Sequence, residues 1–215
     1  MSLKQVVAPT LQPITLAEAK LHLRVDSADD DALITALIDA ATQDAEHVMK
    51  RAVLPQQWKL TIDSFMTDSR VPAQVAYAST QWLGPTQSTI SGFVLLQVPT
   101  VTAVDSVKYI AATTGLQTTL ANTEYLVDLG SDYVARLCPA YGKNWPSVRN
   151  QLAAVEILFT SGWPDVASVP SLVKQWIKLR IGGLYENREA WTLHKQIQPN
   201  PFVDFMLDRY RAWMV

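Results

Sequence analysis

Three histidines, one cysteine and one run of aspartates carry what reactive chemistry this chain could offer. His22 and His47 fall in separate helical patterns, and neither has a second histidine, cysteine or carboxylate at zinc-motif spacing; His194 is the third histidine. Ligand clusters mark metal sites and lone histidines do not, so Glu46-His47 reads as a solvated helix edge. Cys138, in Leu137-Cys138-Pro139, ends an apolar run. A thiol nucleophile needs a base beside it; with no motif for one, Cys138 reads as a small buried hydrophobe. Asp29-Asp30-Asp31 lacks the alternating oxygen ligands and central glycine of a calcium loop, and helix capping explains it more simply. No glycine-rich phosphate loop, Gly-x-Ser-x-Gly elbow or P-loop lysine is present. The expectation is no catalytic residue, no cofactor and no metal. Carboxylates brought together only by the fold leave a hydrolase as a lesser alternative.

Aromatic residues are the more unusual feature: the chain has seven tryptophans. Trp58 and Trp176 have core-like neighbours, whereas Trp82, Trp145, Trp163, Trp191 and Trp213 fall in loops or near the chain end. Tryptophan, tyrosine and arginine concentrate at interface hot spots. The segment after Glu189 carries Trp191, Phe202, Phe205, Arg209, Tyr210, Arg211 and Trp213. These seven are the expected protein-interaction residues; folding of the same segment onto its own subunit is the competing reading.

Three zones would have to position them: helices over 1–55, a β-rich stretch over 56–165 and helices again over 166–215. Thr15-Leu16-Ala17-Glu18 is a capping box, and the helix it opens should stop near 24–26. A second helix starts at Asp29-Asp30-Asp31, presents Leu33, Leu37, Ala41, Ala45 and Val48 with Ile34 and Ile38 beside them, and is stopped by Pro55. Trp58, Leu60 and Ile62 alternate with polar residues as in a half-buried strand. Further strands are expected at 93–98, 104–110, 116–120, 125–129, 133–137 and 155–160, with hairpins across 111–115 and 130–132. Residues 66–92 and 140–151 read as long polar loops, a type often used for binding. In the last zone Pro170 opens a helix with Ser168 as its cap, and Gly182-Gly183 would let another backbone approach. The predicted fold is α+β: a helical bundle from the two terminal segments, with the β-rich middle as an excursion from it.

The 215 residues suffice for one or two domains with a proper core. A net charge of −2 argues against nucleic-acid binding as the main activity. Residues 1–55 hold 5 basic and 8 acidic groups and residues 166–215 hold 7 and 4, so the ends carry −3 and +3. Complementary ends suit head-to-tail contact between copies. No apolar run reaches membrane-spanning length and Met1–Thr10 lacks a signal-type apolar run, so a cytoplasmic site of synthesis and no membrane partner are expected.

Several strings, in order, resemble one family. Ile14-Thr15-Leu16-Ala17-Glu18-Ala19-Lys20, His22-Leu23-Arg24-Val25-Asp26, Asp29-Asp30-Asp31 and Leu33-Ile34 are similar to the N-terminal signature of tailed-phage head–tail connector (adaptor) proteins. Val98-Pro99 with Val104–Tyr109, Pro139–Pro146, and Val169-Pro170 with Leu184–Glu189 continue the resemblance across about residues 13–190. The resemblance implies a structural protein of phage, prophage or gene-transfer particles, with no catalytic residues. It implies a ring of about a dozen neighbouring connector subunits below the portal protein, closed by rotation. Tail-side adaptor proteins would dock on that ring, DNA would pass through its lumen without specific binding, and the site would be the virion, reached from the host cytoplasm. A monomeric protein-binding module is the alternative.

Overall fold

Thr15 opens the first helix as its residue type dictates. Its hydroxyl accepts from the Glu18 amide, and Glu18 Oε2 accepts from the Thr15 amide at 2.8 Å, a complete capping box over α1 (Leu16–Leu23). The helix ends on Arg24, left-handed at φ 58°. These features come from a computed structural model, which describes residues 1–65, 92–131, 133–187, 203 and 205–212.

The second helix, α2 (Asp31–Met49), begins where the aspartates stand, but no side chain caps it. Asp30 instead accepts from the Tyr185 hydroxyl at 2.5 Å, and Asp31 pairs with Lys20 at 2.7 Å. The helix ends before Pro55, at Lys50, whose left-handed turn (φ 54°) sends its amide to the Glu46 carbonyl. Its buried stripe is Ile34, Ile38, Ala41, Ala45 and Met49. Leu33 is 36% exposed, and Leu37 and Val48 are only partly buried, so the helix is rotated about one residue from the face expected. The third helix, α3 (Ser171–Glu186), has Pro170 just before its first turn and buries Val173, Trp176, Ile177 and Ile181. Ser168 does not cap it; its hydroxyl and amide both donate to Asp165. At Gly182 the close neighbour is the His22 side chain, 3.7 Å from where a Cβ would stand, and no other backbone comes near.

Eight strands form two antiparallel sheets among the described residues. They are β1 (Ser2–Val7), β2 (Gln56–Ile62), β3 (Val94–Leu96), β4 (Val101–Ile110), β5 (Gln117–Leu120), β6 (Tyr125–Asp128), β7 (Ala135–Pro139) and β8 (Val155–Ser161). The larger sheet has the order β1-β2-β8-β4-β5 and the smaller β3-β7-β6. In β2 and β8 the residues Leu60, Ile62, Val155, Ile157 and Phe159 are buried while their neighbours are half-exposed, the period-two pattern of a sheet covered on one face. Asp105 on β4 accepts from Gln57 and Thr160, each at 3.0 Å, tying three adjacent strands side by side. The buried Ser161 hydroxyl is satisfied by the Val98 carbonyl at 2.8 Å.

The bundle with a β excursion is therefore overturned. Among the described residues, three helices and eight strands in two sheets take about equal shares, an α+β arrangement in which the sheets are a full partner. The reason lies in Ser2–Val7, which pairs with β2 in register Leu3↔Leu60 and Lys4↔Lys59. The β part thus begins before the first helix. Two compact units result: residues 1–8 with 56–161, and residues 9–55 with 162–212. In the second unit α2 packs against α3 around one core that includes Ile14, Ile38, Trp176, Ile177 and Leu207.

Candidate assembly surfaces

The C-terminal segment has two sides. Met206 and Leu207 are buried in the core of the helical unit, and Ala212, also buried, donates its amide to the Met49 carbonyl at 2.8 Å. The Tyr210 ring meets Trp163 edge-on at 6.3 Å, and Trp163 in turn lies under the Arg51 guanidinium at 5.5 Å. Phe205, by contrast, is 69% exposed and Arg209 points to solvent. Arg211 is half-buried with its guanidinium 3.7 Å from Asp208. Of the seven interaction residues read from the sequence, Phe205 and Arg209 are thus each exposed, and Tyr210 packs against the protein's own core. Trp191, Phe202 and Trp213 lie outside the described residues, as do His194, Trp82 and residues 66–91 of the expected loop 66–92.

The polar stretch 140–151 is pinned down along its length. The Ala140 amide donates to the Glu124 carbonyl, Arg149 to Ile110 and Ala112 to Ser147, at 2.9–3.0 Å. Phe65 and Trp145 stack at 4.4 Å with planes 4° apart, and the Trp145 indole donates to the Gly92 carbonyl. Trp145 is therefore a packing residue. One aromatic that residue type alone did not single out stands free beside it: Tyr141, 101% exposed. It sits on a turn closed by Lys143 N–H to Ala140 O (2.9 Å), with Gly142 at φ 73° and Lys143 paired to Glu124 at 3.1 Å. The glycine in Tyr141-Gly142 was the signal for such a turn; full exposure of the tyrosine was not legible without the fold.

The titratable groups do structural work. Thr15 N–H, assisted by Lys178, holds the Glu18 carboxyl below its usual value. The Gly130 amide and then Arg136 do the same for Asp128, and Ser168 for Asp165. Burial raises the Tyr125 phenol. Each sits at a cap, turn or strand. Glu46 also proves to be structural: it accepts the Val53 amide at 2.8 Å, holding the turn after α2. His22 and His47 are exposed, and Cys138 is half-buried on the more open side of β7 where a buried thiol was expected. Among the described residues no three His, Cys, Asp or Glu side chains converge as a metal site, and no helix is long and apolar enough to cross a membrane. The opposite charges of the chain's two ends are partly spent inside one subunit: Lys178 pairs with Glu18 at 3.5 Å and Arg180 with Asp44 at 2.9 Å.

Residues 13–82 match the family described as phage gp6-like head-tail connector protein. The whole fold is similar to that of a chain in the neck of an empty gene transfer agent (GTA) particle solved with C6 symmetry: TM-score 0.72, 21% identity, covering 100% of this chain and 97% of that one. A chain of the virion of the native GTA particle matches at TM-score 0.71 and 21% identity, and one of the native GTA neck with C12 symmetry at 0.69 and 20%, each with the same coverage. No curated protein matches in sequence. The connector resemblance read from the sequence is thus matched by the family model over residues 13–82, and the chains of the gene transfer agent particle share the fold of the whole chain.

Proposed function

We propose that this protein is the structural connector subunit of a phage or gene-transfer-type particle, assembling as a ring below the portal to extend the DNA channel and dock the tail. The observation that carries the reading is the end-to-end fold match to a particle-neck protein, joined to a connector family segment in the first two helices. The C6 and C12 symmetry of the related necks favours ring assembly with other neck proteins and residence in the virion. A copy number near twelve, the portal protein and a tail-side adaptor as partners, and assembly in the host cytoplasm are the finer parts of this proposal. A structural role without enzymatic activity follows from it. The exposed Phe205 and Arg209, on a segment that also anchors Met206 and Leu207 in the core, are the residues assigned to contact with the portal or a neighbouring subunit; exposed aromatics and arginines are hot-spot residue types.

Disruption of the gene in the producing strain tests the role. DNA-filled heads should accumulate without tails, and wild-type protein supplied in trans should restore joining. Normal tailed particles in the disrupted strain would refute it. The double variant F205S/R209E, expected to fold normally, should fail in the same complementation.

A further inference from the structure

Among the described residues the five-stranded sheet ends in two open edges. β1 stands at one end and β5 at the other, with no described strand beyond either. A strand edge is a row of backbone donors and acceptors ready to pair with another chain. β1 is exposed along almost its whole length, Val6 at 51% and Val7 at 48% included. At the opposite edge Leu116, just before β5, is 69% exposed, and Gln117, Thr118 and Thr119 are exposed after it. Apolar side chains without cover therefore flank both edges.

Strand direction decides which edges can meet. Each neighbouring pair, β1·β2, β2·β8, β8·β4 and β4·β5, is antiparallel. Four reversals leave β5 running in the same direction as β1. Two β1 edges could meet only across a two-fold axis, which gives a closed dimer. A β5 edge meeting the β1 edge of the next copy needs no reversal, so one rotation repeats the contact around a ring, a heterologous interface that closes. We infer that copies of this chain join head to tail through a parallel pairing of β5 in one subunit with β1 in the next, so that the five-stranded sheets run on from subunit to subunit. This rests on the ring reading above and names the contact that would build it.

The register makes the pairing testable. The Ala111 amide donates to the Leu116 carbonyl at 3.0 Å, whereas Ile110 donates to the Ala154 carbonyl and accepts from the Arg149 amide, so Ala111 turns its polar backbone toward β5 and Ile110 turns away from it. The register continues Ile110↔Gln117, Tyr109↔Thr118 and Lys108↔Thr119. Hydrogen-bonded and non-bonded pairs alternate in an antiparallel ladder. Thr118 therefore turns its amide toward β4, and Thr119 turns its amide toward the open edge. Proline at 119 removes only the outward donor, which an edge strand tolerates; proline at 118 breaks the ladder to β4.

Full-length wild type, T119P, T118P and V6K are compared for thermal unfolding and for rings on isolated portal-bearing heads, counted by electron microscopy. V6K adds a second lysine, the residue with which edge strands are commonly blocked, at the apolar end of β1, which already carries Lys4. T119P and V6K should melt within about 2 °C of wild type, with ring occupancy at least about tenfold lower, equivalent to about 1.4 kcal/mol. T118P should melt lower. Rings of normal occupancy from T119P and V6K would overturn the edge contact while leaving the connector reading intact, as would a strand from a tail protein found on either edge. If wild type itself forms no ring on heads that accept tails, the ring reading fails and the edge contact with it.

Discussion

Single residues in this protein show how one atom's surroundings decide a role. Glu18 closes the capping box of α1, and its carboxyl is held below the usual range, first by the Thr15 amide and then by Lys178. A depressed folded pKa stabilises fully above the unfolded value, about 4.3, and that contribution disappears as pH falls through the lower folded value. Removing the cap hydroxyl in T15A should cost about 1 kcal/mol at pH 7. E18Q should be less stable than wild type at pH 7, and the gap should narrow toward pH 3; denaturant unfolding at both pH values checks it. Two glycines offer a sharper contrast. Gly162 has φ 124°, and a Cβ there would overlap the Leu54 carbonyl and lie 2.9 Å from Pro55 N, so backbone itself would have to move. Gly142 has φ 73° with nothing within 4 Å. G162A should destabilise by about 3 kcal/mol or more, through strain plus overlap, and G142A by about 1–2 kcal/mol, the left-handed cost alone. Equal losses in paired melts would refute the overlap.

Elements are where rotation about an axis matters. The apolar residues of α2 cover a broad stripe, and either Leu33-Leu37-Ala41 or Ile34-Ile38-Ala41 could have faced inward. Packing against α3 buries the second set. I38A should therefore cost about 2–5 kcal/mol, the range for a large-to-small core change. L33A should cost less than about 1 kcal/mol, as for a surface change. A reversed order in chemical denaturation would show the helix turned the other way. The strands were legible for a different reason: Trp58, Leu60 and Ile62 alternate with polar residues, 93–98 and 155–160 are short apolar or β-branched runs, and turn glycines mark the ends of the hairpins. β1 had no such signal. Ser2–Val7 is exposed on both faces, so no alternation was written into it, and its strand state is imposed by β2.

At the scale of the whole molecule the C-terminal segment serves two ends. Met206 and Leu207 complete the core of the helical unit, so removing the segment is not a neutral test of assembly. Truncation after Asn187 should remove about 3 kcal/mol or more, from the loss of two large buried side chains. The melting temperature should then fall by about 6 °C or more. F205S/R209E should leave melting unchanged and abolish head–tail joining. A truncated chain that melts like wild type would show that the segment contributes nothing to the core. The charge difference between the two ends of the chain divides in the same way. Glu18–Lys178 and Asp44–Arg180 spend part of it within one subunit, leaving less for contact between copies than the sequence arithmetic implied.

By itself the sequence determined the start of α1, the hairpins and the family strings, because a capping box, period-two alternation and glycine turns are local: their physics acts over three or four neighbouring residues. It also determined that no catalytic constellation was spelled out in motif form. Only the tertiary structure decided which face of α2 is core, that the first residues belong to a sheet, and that Phe205 and Arg209 face outward while Tyr210 faces in. It alone showed Tyr141 fully exposed and Trp145 stacked. Each of these depends on partners dozens of residues away, such as Trp163 against Tyr210 and Leu3 against Leu60. Burial of apolar surface between distant segments, and not local preference, selects among faces that are locally equivalent.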